Sequence, residues 1–323
     1  MADDPFSALL AHIDARAACA GGFSAGGEWA IAFPAPDKLK FFAIARGACW
    51  LTPAGEAPIR LGTGDVLLLA ARRPFVVATD RSLAPLDALA VFGGAASGTV
   101  RLGGGEDFFF LGGHVDIDSA AGPLFVESLP PLIHVRAASA EAPRLQWLIG
   151  QLVAENEATG PGAGFACASL AQLIFLHVLR FHLAQSADLA PGWLRAFGDA
   201  RIAPALRLMH AEPGRDWRLS ELARAAAMSR TAFALHFKAV AGTAPLAWLT
   251  EWRMRLAAKA LRETDRPLSL VAAAVGYASE SAFSTAFKRV TGSAPNRYRS
   301  AMRRAPDMPG RTESGDERLG AVA

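Results

Sequence analysis

The sequence predicts an α+β protein: a strand-rich N-terminal part, a helical hairpin, and an all-α C-terminal domain of two helix-turn-helix units joined by a linker helix. Three observations carry this. A C-terminal segment occurs twice, at an offset of 49 to 50 residues. Short apolar runs alternate with Gly- and Pro-rich turns over residues 40–111, as in small sandwiches and barrels. Residues 200–304 hold 18 Lys/Arg against 7 Asp/Glu, a charge of +11, while the rest of the chain carries −8 and the whole +3.

The strand candidates are Lys40–Arg46, Asp65–Leu69, Phe75–Ala78, Leu86–Phe92 and Phe108–Leu111. Several short strands at this spacing close a sandwich or small barrel. Phe41, Phe42, Trp50, Phe75, Phe92 and the run Phe108 to Phe110 either line a cavity there or fill the core, since alternation sends half of them inward whatever the function. Next come two helical candidates, Ala142–Ala158 and Phe165–Gln185. Leu145, Leu148, Ile149, Leu152 and Val153 keep helical spacing in the first, and Leu170, Leu173, Ile174, His177, Val178 and Phe181 keep it in the second. The short Gly-rich connection makes them an antiparallel pair.

In the repeat, Leu222-Ala223 returns as Val271-Ala272, Phe233 as Phe283, Phe237-Lys238 as Phe287-Lys288, and Ala244-Pro245 as Ala294-Pro295. Each copy reads as helix, turn, helix and restart. Ser229 and Ser279 are N-cap types, Gly242 and Gly292 suit the residue after a helix, and Pro245 and Pro295 suit the first turn of the next. From Pro245 to about Thr264 no internal Gly or Pro interrupts the pattern, which predicts one helix of about 27 Å at 1.5 Å per residue. Two second helices on such a strut match successive major-groove segments about 34 Å apart, and a basic field attracts phosphates. Residues 305–323 mix Pro, Gly, Ser and charges without period, the composition of a disordered tail.

On these residues, together with Trp252 to Arg255 and Pro295-Asn-Arg-Tyr298-Arg299, residues 200–304 resemble the DNA-binding domain of AraC-type transcriptional regulators. The turn at Gly64-Asp65, the apolar run after it and Arg72-Arg73-Pro74-Phe75 resemble the cupin-like sensor domain often joined to it, here residues 1–190. The resemblance implies that a small organic effector enters a pocket lined by Phe41, Trp50, Phe75, Phe92 and Phe109. Apolar lining suits an uncharged ligand, whereas Arg46, Arg60, Arg72 and Arg73 equally suit a carboxylate. It further implies a homodimer through the helical hairpin, whose apolar stripes alternatively bury against the protein's own strands, and contact of an activator with RNA polymerase.

On helix geometry, the face opposite Phe233 and Phe237 presents Arg230, Thr231, Ala234, Leu235 and Lys238, and the equivalent face presents Glu280, Ser281, Ser284, Thr285, Lys288 and Arg289. Arg253, Arg297 and Arg299 complete the expected double-stranded DNA contacts. Leu235 and Thr285 stand where the family often has Arg, leaving an apolar contact to a thymine methyl and a single hydroxyl for readout. Ala227 stands where the second copy has Gly276.

No catalytic residue, cofactor or metal is expected. A metal needs about three converging His or carboxylate ligands, yet His114 is the only histidine in residues 20–130, and Phe75 replaces the His a metal-binding cupin usually has. A cupin metalloenzyme carrying a DNA-binding module, or a ligand-independent DNA-binding regulator, are the alternatives. Cys19, Cys49 and Cys167 are unclustered and odd in number, as for free thiols in a reducing cytoplasm. The acidic start and the lack of 18 uninterrupted apolar residues lead to the expectation of a cytoplasmic protein without a membrane span.

Overall fold

The computed structural model describes residues 4–70, 72–93, 98–117, 122–140, 142–158, 160–185 and 191–304. The expected tail lies outside the described residues. Among the described residues the chain divides into two compact units: Ala15–Ala184, and a helical unit that joins residues 4–14 to Gln185 and residues 191–304.

The first unit contains β1 (Arg16–Ala25), β2 (Ala30–Phe33), β3 (Leu39–Arg46), β4 (Ala48–Pro53), β5 (Ile59–Gly62), β6 (Val66–Leu69), β7 (Phe75–Ala78), β8 (Leu86–Asp87), β9 (Thr99–Leu102), β10 (Phe108–Asp116) and β11 (Leu132–Val135). They form a six-stranded sheet in the order β11-β6-β3-β10-β1-β9 and a five-stranded sheet in the order β5-β4-β7-β2-β8. Phe23, Trp29, Phe33, Phe42, Phe75, Phe92, Phe108 and Phe110 are buried in one core cluster. Rings meet ring to ring, with Phe33 stacked on Phe75 at 4.9 Å and Trp29 4.8 Å from Phe108. The pleat explains the division: Phe42 joins this core, while Phe41, one residue away, is buried on the opposite face. A Cβ on Gly113 would collide with the Phe41 ring, so that close approach requires glycine.

The strand expected over Leu86–Phe92 is instead the two-residue β8 followed by α2 (Ala88–Phe92). The Asp87 carboxylate accepts the Leu89 N–H at 2.6 Å, and this cap turns the chain out of the strand. β1, rich in Ala and Gly, has no apolar run and still pairs with both β10 and β9, because its partners supply the ladder. A short helix, α3 (Gly122–Ser128), precedes β11.

The hairpin is α4 (Ala142–Glu157) and α5 (Ala163–Ala184), which pack on each other and on the six-stranded sheet. Ala17 N–H donates to Gln172 Oε1 at 2.7 Å, and Gln172 Nε2 donates to the Ala15 carbonyl at 3.1 Å, pinning α5 to the start of β1. α5 is long and apolar enough to cross a membrane by length and composition alone, although Ser169, Gln172, His177, Arg180 and His182 interrupt its apolar residues. Its Ala171, Ile174, Phe175, Val178 and Leu179 are buried in the unit, which accounts for one stripe of that apolar character.

The helical unit comprises α1 (Pro5–His12), α6 (Trp193–Gly198), α7 (Ala203–Ala211), α8 (Leu219–Ala225), α9 (Arg230–Ala241), α10 (Pro245–Glu263), α11 (Leu268–Ala274), α12 (Glu280–Thr291) and α13 (Pro295–Arg304). α1 packs here although it precedes the strands in the chain. Its Phe6 ring lies 6.0 Å from that of Phe197, and Lys259 Nζ donates to the Ala11 carbonyl at 3.0 Å, satisfying an acceptor at the helix end. Phe233, Phe237 and Trp248 centre one core, and Phe283, Phe287 and Leu261 the other.

Candidate nucleic-acid interface

Local chemistry sets the two recognition-type helices. Ser229 Oγ accepts the Ala232 N–H and Ser279 Oγ the Ala282 N–H, each at 3.2 Å, so both helices begin on a side-chain cap. Both end at a left-handed glycine, Gly242 with φ 75° and Gly292 with φ 76°. α8 packs on α9 and α11 on α12, and α10 bridges the pairs over 19 residues, about 28 Å at the helical rise.

With Phe233 and Phe237 fully buried, α9 turns Arg230, Thr231, Leu235 and Lys238 to the surface and leaves Ala234 partly covered. Leu235 is 67% exposed, so packing among the described residues does not account for it. On α12, Glu280, Ser281, Thr285, Lys288 and Arg289 are exposed and Ser284 is half-buried. The Thr285 hydroxyl donates back to the Ser281 carbonyl at 3.0 Å, which leaves its lone pairs outward. Arg297 is exposed on α13.

Two of the expected contacts are used inside the protein. Arg253 Nε donates to the Pro213 carbonyl at 2.6 Å and Nη2 to that of Arg215 at 2.7 Å. Burial holds its pKa below the usual arginine range. Arg253 thus clamps the α7–α8 connection onto α10. Arg299 Nη2 donates to the Arg266 carbonyl at 2.6 Å, tying α13 to the start of the second unit. Arg255 likewise covers the Trp193 ring at 3.8 Å, and burial holds its guanidinium down to about 10. A helix-periodic stripe of arginines does not reveal which of them meet a carbonyl from a distant loop. Periodicity also passes over Arg224. It is exposed at the end of α8 and lines a shallow cleft with Ala227 and Arg230. Its place at the helix end before the turn is the signal that points to it, since the first helix of such a unit crosses the DNA backbone.

The five residues expected to line an effector pocket are not gathered around one cavity. Phe75 and Phe92 belong to the packed core, Phe41 to the other face of its sheet, and Trp50 lies under Arg60 and Arg81 at 5.3 and 4.7 Å. Phe109, of opposite parity to Phe108 and Phe110, lines two clefts outside that core. Strand alternation separates side chains that a roll of aromatic residues groups together. Among the described residues no three His, Cys, Asp or Glu side chains converge as metal ligands. His114 lies in β10 with Nε2 3.2 Å from Asp116, and burial pushes its pKa down.

A family model described as Cupin matches residues 4–184, and one described as Helix-turn-helix domain matches residues 222–301. The chain is 41% identical to an AraC-like transcription regulator of Streptomyces antibioticus, over 92% of its own length and 98% of the relative's. The chain belongs to the AraC-like transcription regulators. A second member, from Streptomyces lividans, is 39% identical over 95% of this chain and 100% of its own. The HTH-type transcriptional regulator AlkR of Acinetobacter baylyi is 31% identical over 84% and 91%. Within this AraC-type chain, the matched helix-turn-helix region holds every recognition-face residue described on α9 and α12.

Proposed function

We propose that the chain regulates transcription, as an activator, by inserting α9 and α12 into successive major-groove segments of duplex DNA, under the control of a small organic effector bound by the strand-rich unit. The observation that carries the reading is the duplicated surface: two serine-capped helices bury their phenylalanines and expose a hydroxyl and a lysine at matching positions, Thr231 and Lys238 on α9 and Ser281 and Lys288 on α12. Arg230, Lys238, Lys288, Arg289, Arg297 and Arg224 meet phosphates, while Thr231, Ala234, Leu235, Glu280, Ser281, Ser284 and Thr285 face base edges. Arg253 and Arg299 contribute by holding the frame.

Trp147 and Phe165, 63% and 82% exposed on α4 and α5, support the hairpin as the interface of a homodimer. Effector binding shifts the population toward the arrangement of two chains that fits spaced half-sites and contacts RNA polymerase, in the cytoplasm. Footprinting of the full-length protein on DNA flanking its own gene tests the reading. Two or more protected half-sites that fade as salt rises are expected; uniform, sequence-independent retention would overturn it.

A further inference from the structure

We propose that the effector site is a two-chambered cleft on the outer side of the six-stranded sheet beneath α4, and that it takes an amphipathic molecule with an apolar body and an uncharged polar end. This rests on the reading of the chain as effector-controlled and specifies where and what it binds.

The space between the sheets is occupied. Phe23 meets Trp29, Phe92 and Phe110 at 5.1 to 5.6 Å, and Phe42 meets Phe75 and Phe110 at 5.7 and 5.3 Å. Among the described residues, two clefts lie under the stripe of α4 that runs from Gln146 through Ile149, Gly150 and Val153 to Asn156 and Glu157. One chamber, of about 440 Å³, is walled by Phe109, Ile149, Gly150 and Val153. The other, of about 340 Å³, is walled by Ser24, Thr99, Arg101 and Glu157. Arg46 and Phe109 line both, so the chambers adjoin. Each falls within the size range of small-molecule sites.

The walls specify the ligand. Phe109, Ile149 and Val153 give the larger chamber an apolar wall, with Arg46 the charged residue at its edge with the other chamber. In the polar chamber Arg46 is neutralised by Glu106 at 3.4 Å. Arg101 and Glu157 carry opposite charges on the same wall. The formal charge of this wall is zero, and it supplies both donors and acceptors. A polyhydroxy or amide end can engage both signs at once, whereas a carboxylate or ammonium that pairs with one of these charges faces a like charge beside it.

Gly150 gives a direct test, because a Cβ there meets nothing within 4 Å and points into open space. Replacing a mid-helix glycine also favours the helix. The thermal midpoint of the full chain is measured with octyl β-glucoside, octanoate and octylammonium, all below micelle-forming concentration. The expected result is a saturable rise with the glucoside, several-fold smaller rises with the two charged amphiphiles, and loss of the glucoside effect in Gly150→Leu, which by itself melts no lower than the parent. Val153→Phe, a second way of filling the chamber, should also lose the effect. A glucoside shift retained in both variants overturns the site and leaves effector control standing. An equal or larger response to a charged amphiphile overturns the ligand class. No response to any of the three overturns the assignment, while the footprint judges DNA binding separately.

Discussion

Ala227 and Gly276 hold the same left-handed backbone at equivalent turns of the two helix-turn-helix units, with φ of 52° and 82°. Their surroundings differ. A Cβ on Gly276 would strike the Gly214 carbonyl, whereas Ala227 is exposed. Alanine is therefore tolerated in the first turn at a conformational cost and excluded sterically from the second. Ala227→Gly should stabilise the protein by about 0.5 to 1 kcal/mol, the relief of left-handed strain less the added freedom of the unfolded chain. Gly276→Ala should destabilise by about 2 kcal/mol or more, because strain and collision add. Urea midpoints measure both, and a neutral Gly276→Ala would contradict the close approach.

Arg253→Ala should lower stability by about 1.5 to 3 kcal/mol, as expected for hydrogen bonds from a charged group to two carbonyls. Arg253→Lys should recover little of this, since one ammonium cannot reproduce the fork that reaches both Pro213 and Arg215. Chemical denaturation reads the loss. A variant of unchanged stability that binds DNA more weakly would return Arg253 to the interface.

Leu9 is 4% exposed on α1, so Leu9→Ala should destabilise by about 2 to 4 kcal/mol. Hydrogen exchange in the full chain localises the effect. Faster exchange is expected in α7 and α10 and not in the strands, because α1 packs with the helical unit.

Substituting both Lys288 and Arg289 by Ala should leave the urea midpoint within about 0.5 kcal/mol, as for exposed side chains. The slope of log affinity against log salt should become less steep by about 2, because each of the two cations neutralises one phosphate. Unchanged affinity and slope would place the DNA face elsewhere.

Burial pushes the Cys19 thiol up to about 11 and that of Cys49 up to about 12, and also raises Cys167. Because the thiolate is the nucleophile, alkylation of the native protein at pH 8 should label Cys167 first and Cys49 last, read by peptide mass. A thiol whose folded pKa is raised stabilises fully below its unfolded value near 9 and loses that contribution as pH rises toward 11 or 12. These two groups therefore add an alkaline loss of stability above about pH 9.

Much of the helical unit was legible because its signals are local. Ser229, Ser279, Gly242, Gly292 and Pro245 act within a few residues of themselves, and the structure puts each at the helix end where its chemistry is useful. The strand-rich unit was legible only where a strand carries its own apolar run. β1 is held by neighbours on both sides, and a single aspartate at the start of α2 overrode the strand pattern of Leu86–Phe92.

The sequence by itself determined the duplication, the helix caps, the basic balance of the C-terminal region and the exposed faces of α9 and α12, since periodicity and capping depend on near neighbours in the chain. Tertiary structure decided what depends on distant ones. Pro213 and Arg215 draw Arg253 inward, and the pleat parts Phe41 from Phe42 and Phe109 from its neighbours. α1 finds its helical partners beyond the whole stretch of sequence that forms the strand-rich unit. Which cation faces solvent and which aromatic ring bounds empty space follow from contacts between residues far apart in sequence, and no local pattern encodes them.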